Sequence, residues 1–451
     1  MKKKVDLLKD DIVRLFIRFV ASSVSGMIMV SLYIMADTIF IGRGVGSEGL
    51  AALNIAIPMY NILFATGLLL GIGGATALSV SIGQKQFKKV NIIFTHSIVT
   101  ALFLGLLYTV AGSIFLEPLS YFLGASRENI SLVKEYLRIM MMFSTSFVMV
   151  YALTPLVRND KAPKLAMWST IAGGFTNIVL DALFIFKFHW GMKGAAIATV
   201  ISSLVSLGLL CSHFVVGGSS LKLQKLPIQT HILKRIFLNG VPSFIIEISS
   251  GMVIFTFNQV ILSFIGEIGV SAYSIIANIS LICIAMFTGI AQGVQPIISV
   301  NYGAKMMERA NRVRNMGLVC AVILGMIFFM MGNLFPEKIV HLFTNETGEL
   351  IDITVQGIHY YFIGFVLMGV NIVMGMYFQS IEASSYSTGI SVGRGIGFVI
   401  LGLVVLPRFF EMMGVWMTVP FAELATCILA VCLYAKQLKG SVKYRLDIKD
   451  Y

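Results

Sequence analysis

Charge is what this chain has least of: only 12% of its 451 residues are Asp, Glu, Lys or Arg, against 57% that are hydrophobic. An average soluble domain carries about twice that share of charge, so a water-soluble fold is excluded. Cysteine is also scarce. The five copies, Cys211, Cys283, Cys320, Cys427 and Cys432, all fall inside apolar runs, which argues against a disulfide framework and for buried packing. No cluster has zinc spacing, and no Walker-type phosphate loop or nucleophile elbow occurs. His96, His213 and His359 stand apart from one another and read as packing or polar contacts. The paired aspartates of a membrane-embedded prenyl transferase are missing as well. These absences leave no enzymatic machinery, and neither an enzyme nor a resident cofactor is expected.

What the chain does have is apolar length. Stretches of about 20 to 28 residues recur between short polar breaks, enough to cross a hydrocarbon core of about 30 Å. They predict an all-α membrane protein of twelve transmembrane helices, from Arg14–Gly42 through Gly194–Val216 in the first half and from Arg235–Ile265 through Gly414–Ala435 in the second. The first run follows Lys2–Lys4 as a signal peptide would, but it is too long and lacks a small-residue cleavage site, so it reads as a retained helix.

The net charge of +12 is explained by its placement. Lys and Arg gather in alternate breaks: Lys2–Lys4, Lys85–Lys89, Arg158–Lys164, Lys222–Arg235, Lys305–Arg314 and Lys436–Arg445. The intervening breaks hold acids, among them Glu117, Glu267, Glu346 and Glu411. By the positive-inside rule both termini are cytoplasmic. The basic charge is topological, and no nucleic-acid partner is implied.

The chain also repeats itself once, at an offset of about 220 residues. Gly49, Ala52, Gly73, Gly83, Lys85 and Asn91 meet Gly269, Ala272, Gly293, Gly303, Lys305 and Asn311; far downstream Gly173 meets Gly393 and Gly194 meets Gly414. Each copy holds six spans, an even number, so the copies are parallel repeats with a central site between two lobes. The expected organisation is a lobe over 1–216, a flexible interlobe linker over 217–234 and a second lobe over 235–451. Pro58, Pro155, Pro242, Pro296 and Pro420 lie inside spans, where each removes a backbone hydrogen bond and favours a kink.

The copies differ in their polar residues. Asp37, Asn177, Asp181 and Thr199 meet Phe257, Gly397, Leu401 and Val419, and a residue the second copy discards is not needed to build the fold. Asp37 and Asp181 each precede a basic residue by six positions and Thr199 follows one by six, which puts all three about 9 Å from the outer boundary. Asn177 and Asp181, four apart, share a helical face. Two carboxylates, an amide oxygen and a hydroxyl suit a small hard cation such as Na⁺; a proton held between the two carboxylates suits the same residues. In the second lobe Glu247 and Glu423 fall near the midplane, with Arg394 on the neighbouring helix. An Arg394–Glu423 pair is expected, and Glu247 is a candidate for attracting cationic substrates in the central cavity.

At these residues the chain resembles the multidrug and toxic compound extrusion (MATE) family, in its bacterial DinF-like or MepA-like branch. The likeness rests on Met35-Ala36-Asp37-Thr38-Ile39-Phe40-Ile41-Gly42, on Asn177-Ile178-Val179-Leu180-Asp181 and on Gly191-Met192-Lys193-Gly194-Ala195-Ala196-Ile197-Ala198-Thr199. It implies two six-helix bundles forming a V in a bacterial inner membrane, acting as a monomer, with antiport of Na⁺ or H⁺ against amphipathic organic cations by alternating access. It assigns Asp37, Asn177, Asp181 and Thr199 to a cation site in the first lobe, and Glu247 resembles the helix-seven acid of some members. The stretch Met368-Gly369-Val370-Asn371-Ile372-Val373-Met374 lacks the acid that the NorM-like branch carries in helix ten, so no second-lobe sodium site is implied. The alternative within transport is a lipid-linked precursor flippase, for which several cavity-facing cations are expected; Arg394 is the one deep cation.

Overall fold

The computed structural model describes residues 5–225, 227–344 and 348–447, with side chains through 439. Lys2–Lys4, Glu346 and the side chains at the end of Lys436–Arg445, all used above to orient the chain, lie outside the described residues. Every regular element among those described is helical. This is the expected answer to a hydrocarbon solvent, where a helix satisfies its own backbone hydrogen bonds within one segment.

The first half consists of α1 (Ile12–Gly44), α2 (Ser47–Gly83), α3 (Phe87–Ile114), a broken α4 (Ile130–Met142 and Ser144–Asn159), α5 (Pro163–Lys187) and α6 (Gly191–Val215). The second half opens with a 74-residue helical run, Thr230–Gly303, broken at Gly266 by a left-handed backbone. That break divides it into α7 (230–265) and α8 (267–303). Then come α9 (Met307–Leu334), α10 (Glu349–Tyr361 continued by Ile363–Ser380), α11 (Ser384–Val405) and α12 (Pro407–Lys439). Among the described residues ten helical runs are long and apolar enough to span a membrane, the broken α4 adds one, and the division at Gly266 another. The five prolines sit inside helices as expected, but the 55° bend of α4 falls at Phe143 instead of Pro155.

The duplication is written in the backbone as well as in the sequence. Left-handed φ angles occur at Gly46 and Gly266, at Lys85 and Lys305, and at Gly191 and Glu411, each pair 220 positions apart. Gly266 is therefore the turn between α7 and α8, as Gly46 is between α1 and α2.

The halves meet where glycine lets backbones touch. A Cβ on Gly83 of α2 would strike the carbonyl of Val300 on α8, and one on Gly303 would strike that of Val80. These are reciprocal contacts of two related helices about a pseudo-two-fold axis. Gly73 likewise packs on Gly240 of α7, and Gly293 on Val20 of α1. Small residues at such crossings supply the close packing that helix association in lipid depends on.

Around this crossing, at the basic ends of the helices, polar side chains bridge the halves. Arg158 donates to the backbone and side-chain oxygens of Gln292 at 3.2 and 2.8 Å, and Asn159 donates to Gln295 Oε1 at 2.9 Å. Gln295 in turn donates to Thr76 at 3.1 Å.

The linker differs from the loose joint its composition suggests. Asp160 accepts from Ser220 Oγ at 2.8 Å and pairs with His213 at 2.9 Å. Further along, Lys222 N donates to Asn91 Oδ1 at 3.0 Å, Gln224 N to Thr95 Oγ1 at 3.1 Å, and Gln229 N to His96 Nε2 at 2.9 Å. Extended backbone exposes unpaired N–H groups, and α3 supplies the acceptors that fix them.

The glycine crossing makes a direct prediction. Gly83→Val or Gly303→Val should overpack it and lower the thermal midpoint of the protein in detergent, by about 1–3 kcal/mol of stability. Gly208→Ala, at a position with open space around it, should not.

Candidate functional site

Three helices of the first half carry the four residues that the second half discards. α1 brings Asp37, α5 brings Asn177 and Asp181, and α6 brings Thr199. The last turn of α5, Ala182–Lys187, widens to a π-helix closed by the Phe188 N–H on the Leu183 carbonyl at 3.0 Å. Such a turn interrupts the regular ladder immediately after Asp181, as is common at functional sites.

The side chains converge as their estimated depth suggests. Asp37 and Asp181 stand within hydrogen-bonding reach of each other, and Asn177 within reach of Asp181. Asn177 Nδ2 donates to Thr199 Oγ1 at 3.4 Å, and the Thr199 hydroxyl donates to the Ala195 carbonyl at 3.0 Å. Neither of these two hydrogen bonds goes to a carboxylate. What remains is a set of buried acceptors with no donor: Asp37 Oδ1, Asn177 Oδ1 and both oxygens of Asp181. A bare acceptor cluster in a dry interior is unfavourable until something positive enters it. Its hard oxygen chemistry fits Na⁺, and the facing carboxylates fit a shared proton. Among the described residues no group of three or more His, Cys, Asp or Glu forms a metal cluster.

Four tyrosines complete the surroundings, and none of them figures among the sequence candidates. Tyr136 of α4 is buried against Thr199, within electrostatic reach of both aspartates. Tyr33, one turn before Asp37 on α1, joins its hydroxyl to those of Tyr60 on α2 and Tyr151 on α4 at 3.1 and 3.2 Å, and the latter two are 2.6 Å apart. The signal for them was available: their counterparts 220 positions on are Gln356, Val253, Ser280 and Asn371.

Beside the site, Tyr33 and Thr199 also line a cavity formed by first-half residues together with Gln292 of α8. Tyr33, Tyr60, Tyr151 and Thr199 line it toward the aspartates, and Arg158 and Gln292 line it at the basic ends. Phe64 packs edge-on against Tyr151 at 4.2 Å, and Phe147 against Tyr60 at 5.9 Å.

Glu247 of α7 belongs to the same region. Gly240, Phe244, Glu247 and Gly251 follow one another at steps of three and four, a single helical stripe. The stripe faces α2: Gly240 packs on Leu69, Phe244 on the first-half core, and Gly251 toward Asn61. Glu247 therefore looks across the interface between the halves at the level of Phe64 and Tyr151.

Arg394 and Glu423 do pair, at 2.9 Å between Nε and Oε1, with side chains 13% and 4% exposed. Asn371 Nδ2 donates to the other Glu423 oxygen at 2.7 Å. Counting back 220 residues gives Gly174, Ser203 and Tyr151, all of which line the first-half cavity. The second half fills with an ion pair the space that the first half keeps open.

Comparison with known proteins agrees with this architecture. The family model described as MatE matches residues 23–183 and 242–406, one segment in each half. A relative from Staphylococcus saprophyticus described as multidrug export protein MepA is 24% identical over 90% of this chain and 89% of its own. A solved structure of a MOP superfamily transporter from Pyrococcus furiosus, reported with a binding pocket of reverse polarity suggesting a different function, superposes with a TM-score of 0.90 at 23% identity. It covers 98% of this chain and 99% of that one. An outward-facing multidrug resistance MATE transporter gives the same TM-score, identity and coverage.

The ion pair lends itself to a double-mutant cycle. Arg394→Leu alone should strand Glu423 and destabilise the protein by about 3–5 kcal/mol, whereas Arg394→Leu with Glu423→Leu should recover most of the loss. Thermal denaturation in detergent measures both.

Proposed function

Since the chain belongs to the MatE family, whose model spans both of its halves, we propose that it is a secondary-active multidrug exporter of the bacterial cell membrane. In this reading an inward-moving cation, Na⁺ or H⁺, exchanges for amphipathic organic cations by alternating access. One observation carries it: the first half buries four acceptor oxygens without a donor, on Asp37, Asn177 and Asp181, and the second half has no such residues at the matching positions. Expelling a monovalent cation against an inside-negative potential costs about 2.3 kcal/mol per 100 mV, so the export step needs a coupled ion.

The residue roles follow from placement. A cation entering between Asp37 and Asp181 neutralises the acceptor cluster and draws α1 toward α5 and α6. The hydroxyl contacts of Tyr33 with Tyr60 and Tyr151 tie that movement to α2 and α4. Substrate cations lodge against Glu247 and the aromatic rings facing it, where cation–π contacts and a carboxylate favour positive charge without fixing its shape. Occupancy of the ion site by a cation then favours a different packing of the first lobe, one that holds substrate less well. The moving bodies are the lobes over 1–216 and 235–451, working as a monomer with both termini in the cytoplasm, so that the basic ends joined at Gly83 and Gly303 close the inner side.

A flippase of lipid-linked precursors is the less supported alternative. It calls for free cations in the central cavity, and Arg394 is bound to Glu423 inside its own lobe.

The test is efflux of a fluorescent cationic dye from vesicles under separately imposed sodium and proton gradients. Wild-type protein should respond to at least one gradient. Asp37→Asn and Asp181→Asn, correctly inserted, should each lower gradient-driven efflux at least tenfold; unchanged efflux in either would remove the coupling role.

A further inference from the structure

At the basic end of α9 the second half carries a polar groove for which transport offers no use. Arg312, Asn311 and Asn315 line it, with Glu308 at its rim, and an apolar strip of Phe16, Met316, Val319, Cys320 and Ile323 continues it along the helix. Val319 and Ile323 are exposed, so the strip faces the surroundings of a membrane span.

The two asparagines are fixed from behind. Asn315 Oδ1 accepts from Arg314 Nε and Nη2 at 3.1 and 2.8 Å, and Asn311 Oδ1 accepts from the Tyr377 hydroxyl at 3.4 Å. With both amide oxygens taken, each side chain has its Nδ2 donor left for the groove. Arg312 adds a guanidinium engaged in no ion pair among the described residues. Arg314 itself is 7% exposed and lies between the rings of Tyr377 and Tyr434 at 4.9 and 4.7 Å. Its Nη1 has no partner and no carboxylate balances its charge among the described residues. A buried cation backing a row of donors is suited to an anion.

The first copy shows that none of this is required by the fold. At the positions of Arg314 and Tyr434 it has Phe94 stacked on Phe214 at 5.3 Å, and Arg312 is matched by Ile92. Its equivalents of Asn311 and Asn315, Asn91 and Thr95, accept backbone N–H groups of the interlobe linker. The first copy covers this face with its own chain. In the second copy no backbone segment among the described residues bonds to Asn311 or Asn315.

We propose that this groove binds an anionic phospholipid of the leaflet on the basic side, its phosphate held by Arg312 and the amides of Asn311 and Asn315, and an acyl chain lying along Met316, Val319 and Ile323. Charge and position select this occupant. The donors sit at the basic end of a span, where headgroups lie, and basic pockets between transmembrane helices are suited to anionic headgroups. The apolar strip suits a tail and offers nothing to a free anion. Arg314 acts as a positioning residue through Asn315. The proposal does not depend on what the protein transports.

The test uses the full chain purified in a neutral detergent, with thermal midpoints measured on adding phosphatidylglycerol, phosphatidylcholine, or inorganic phosphate. Phosphatidylglycerol should raise the midpoint by several degrees, and the other two should not. Arg312→Gln should weaken the response at least tenfold in lipid concentration. Arg314→Phe, which copies the packing of Phe94 in the first half, should weaken it too, and Glu308→Gln should strengthen it. An equal response to phosphatidylcholine would overturn the proposal by showing a site for tails alone, and one to inorganic phosphate by showing a site for a soluble anion. Because Arg312 is exposed, its substitution is not expected to threaten folding, and an unchanged lipid response in Arg312→Gln would overturn the proposal outright.

Discussion

A charge taken into hydrocarbon must be paired, hydrated or put to use, and that constraint organises this molecule. Glu423 has Arg394 and Asn371. Asp160 has His213 and the linker serines. Four oxygens of Asp37, Asn177 and Asp181 have no partner, while Asn177 donates to Thr199 and Thr199 to the α6 backbone. The first half is therefore built around an unmet demand for positive charge, and the cavity, the tyrosines and the π-turn of α5 are arranged beside it.

Duplication gave both halves the same scaffold, and the difference between them lies in what fills it. Where the first half has Gly174, Ser203 and Tyr151 around an open space, the second has Arg394, Glu423 and Asn371 closing it. A filled interior resists repacking, while a cavity beside an unpaired acceptor cluster has room for more than one arrangement. The exchange of Phe94 for Arg314 runs the other way, since there the second half has a charged side chain where the first packs two aromatic rings.

Much of this was legible from residues alone. The spans and the duplication follow from apolar length and glycine positions, both set by the bilayer. The four polar residues emerged by comparing copies, and counting from basic residues placed three of them at one level. The same comparison picks out Tyr33, Tyr60, Tyr136 and Tyr151, yet tyrosine is at home in any helix, and only the meeting of the Tyr33, Tyr60 and Tyr151 hydroxyls, and the place of Tyr136 against Thr199, separate these from packing. The pinned linker was hidden for a related reason: Gly217, Gly218, Ser219 and Ser220 read as loose chain, while the acceptors that fix the segment lie far back in sequence, at Asp160 and on α3. The orientation of Glu247 required knowing which stripe of α7 faces α2.

The contact of Gly83 with Gly303 has a mechanical side. It lies at one end of α2, a helix of 37 residues and so about 55 Å long. A close crossing of bare backbones at the end of so long an arm is a fulcrum. Tilting the arm by only about 10° about that point sweeps its far end through roughly 10 Å, the width of a whole helix. In the proposed alternating-access cycle, leverage of this kind would let ångström-scale changes near the pivot become an opening of drug-sized width at the other face.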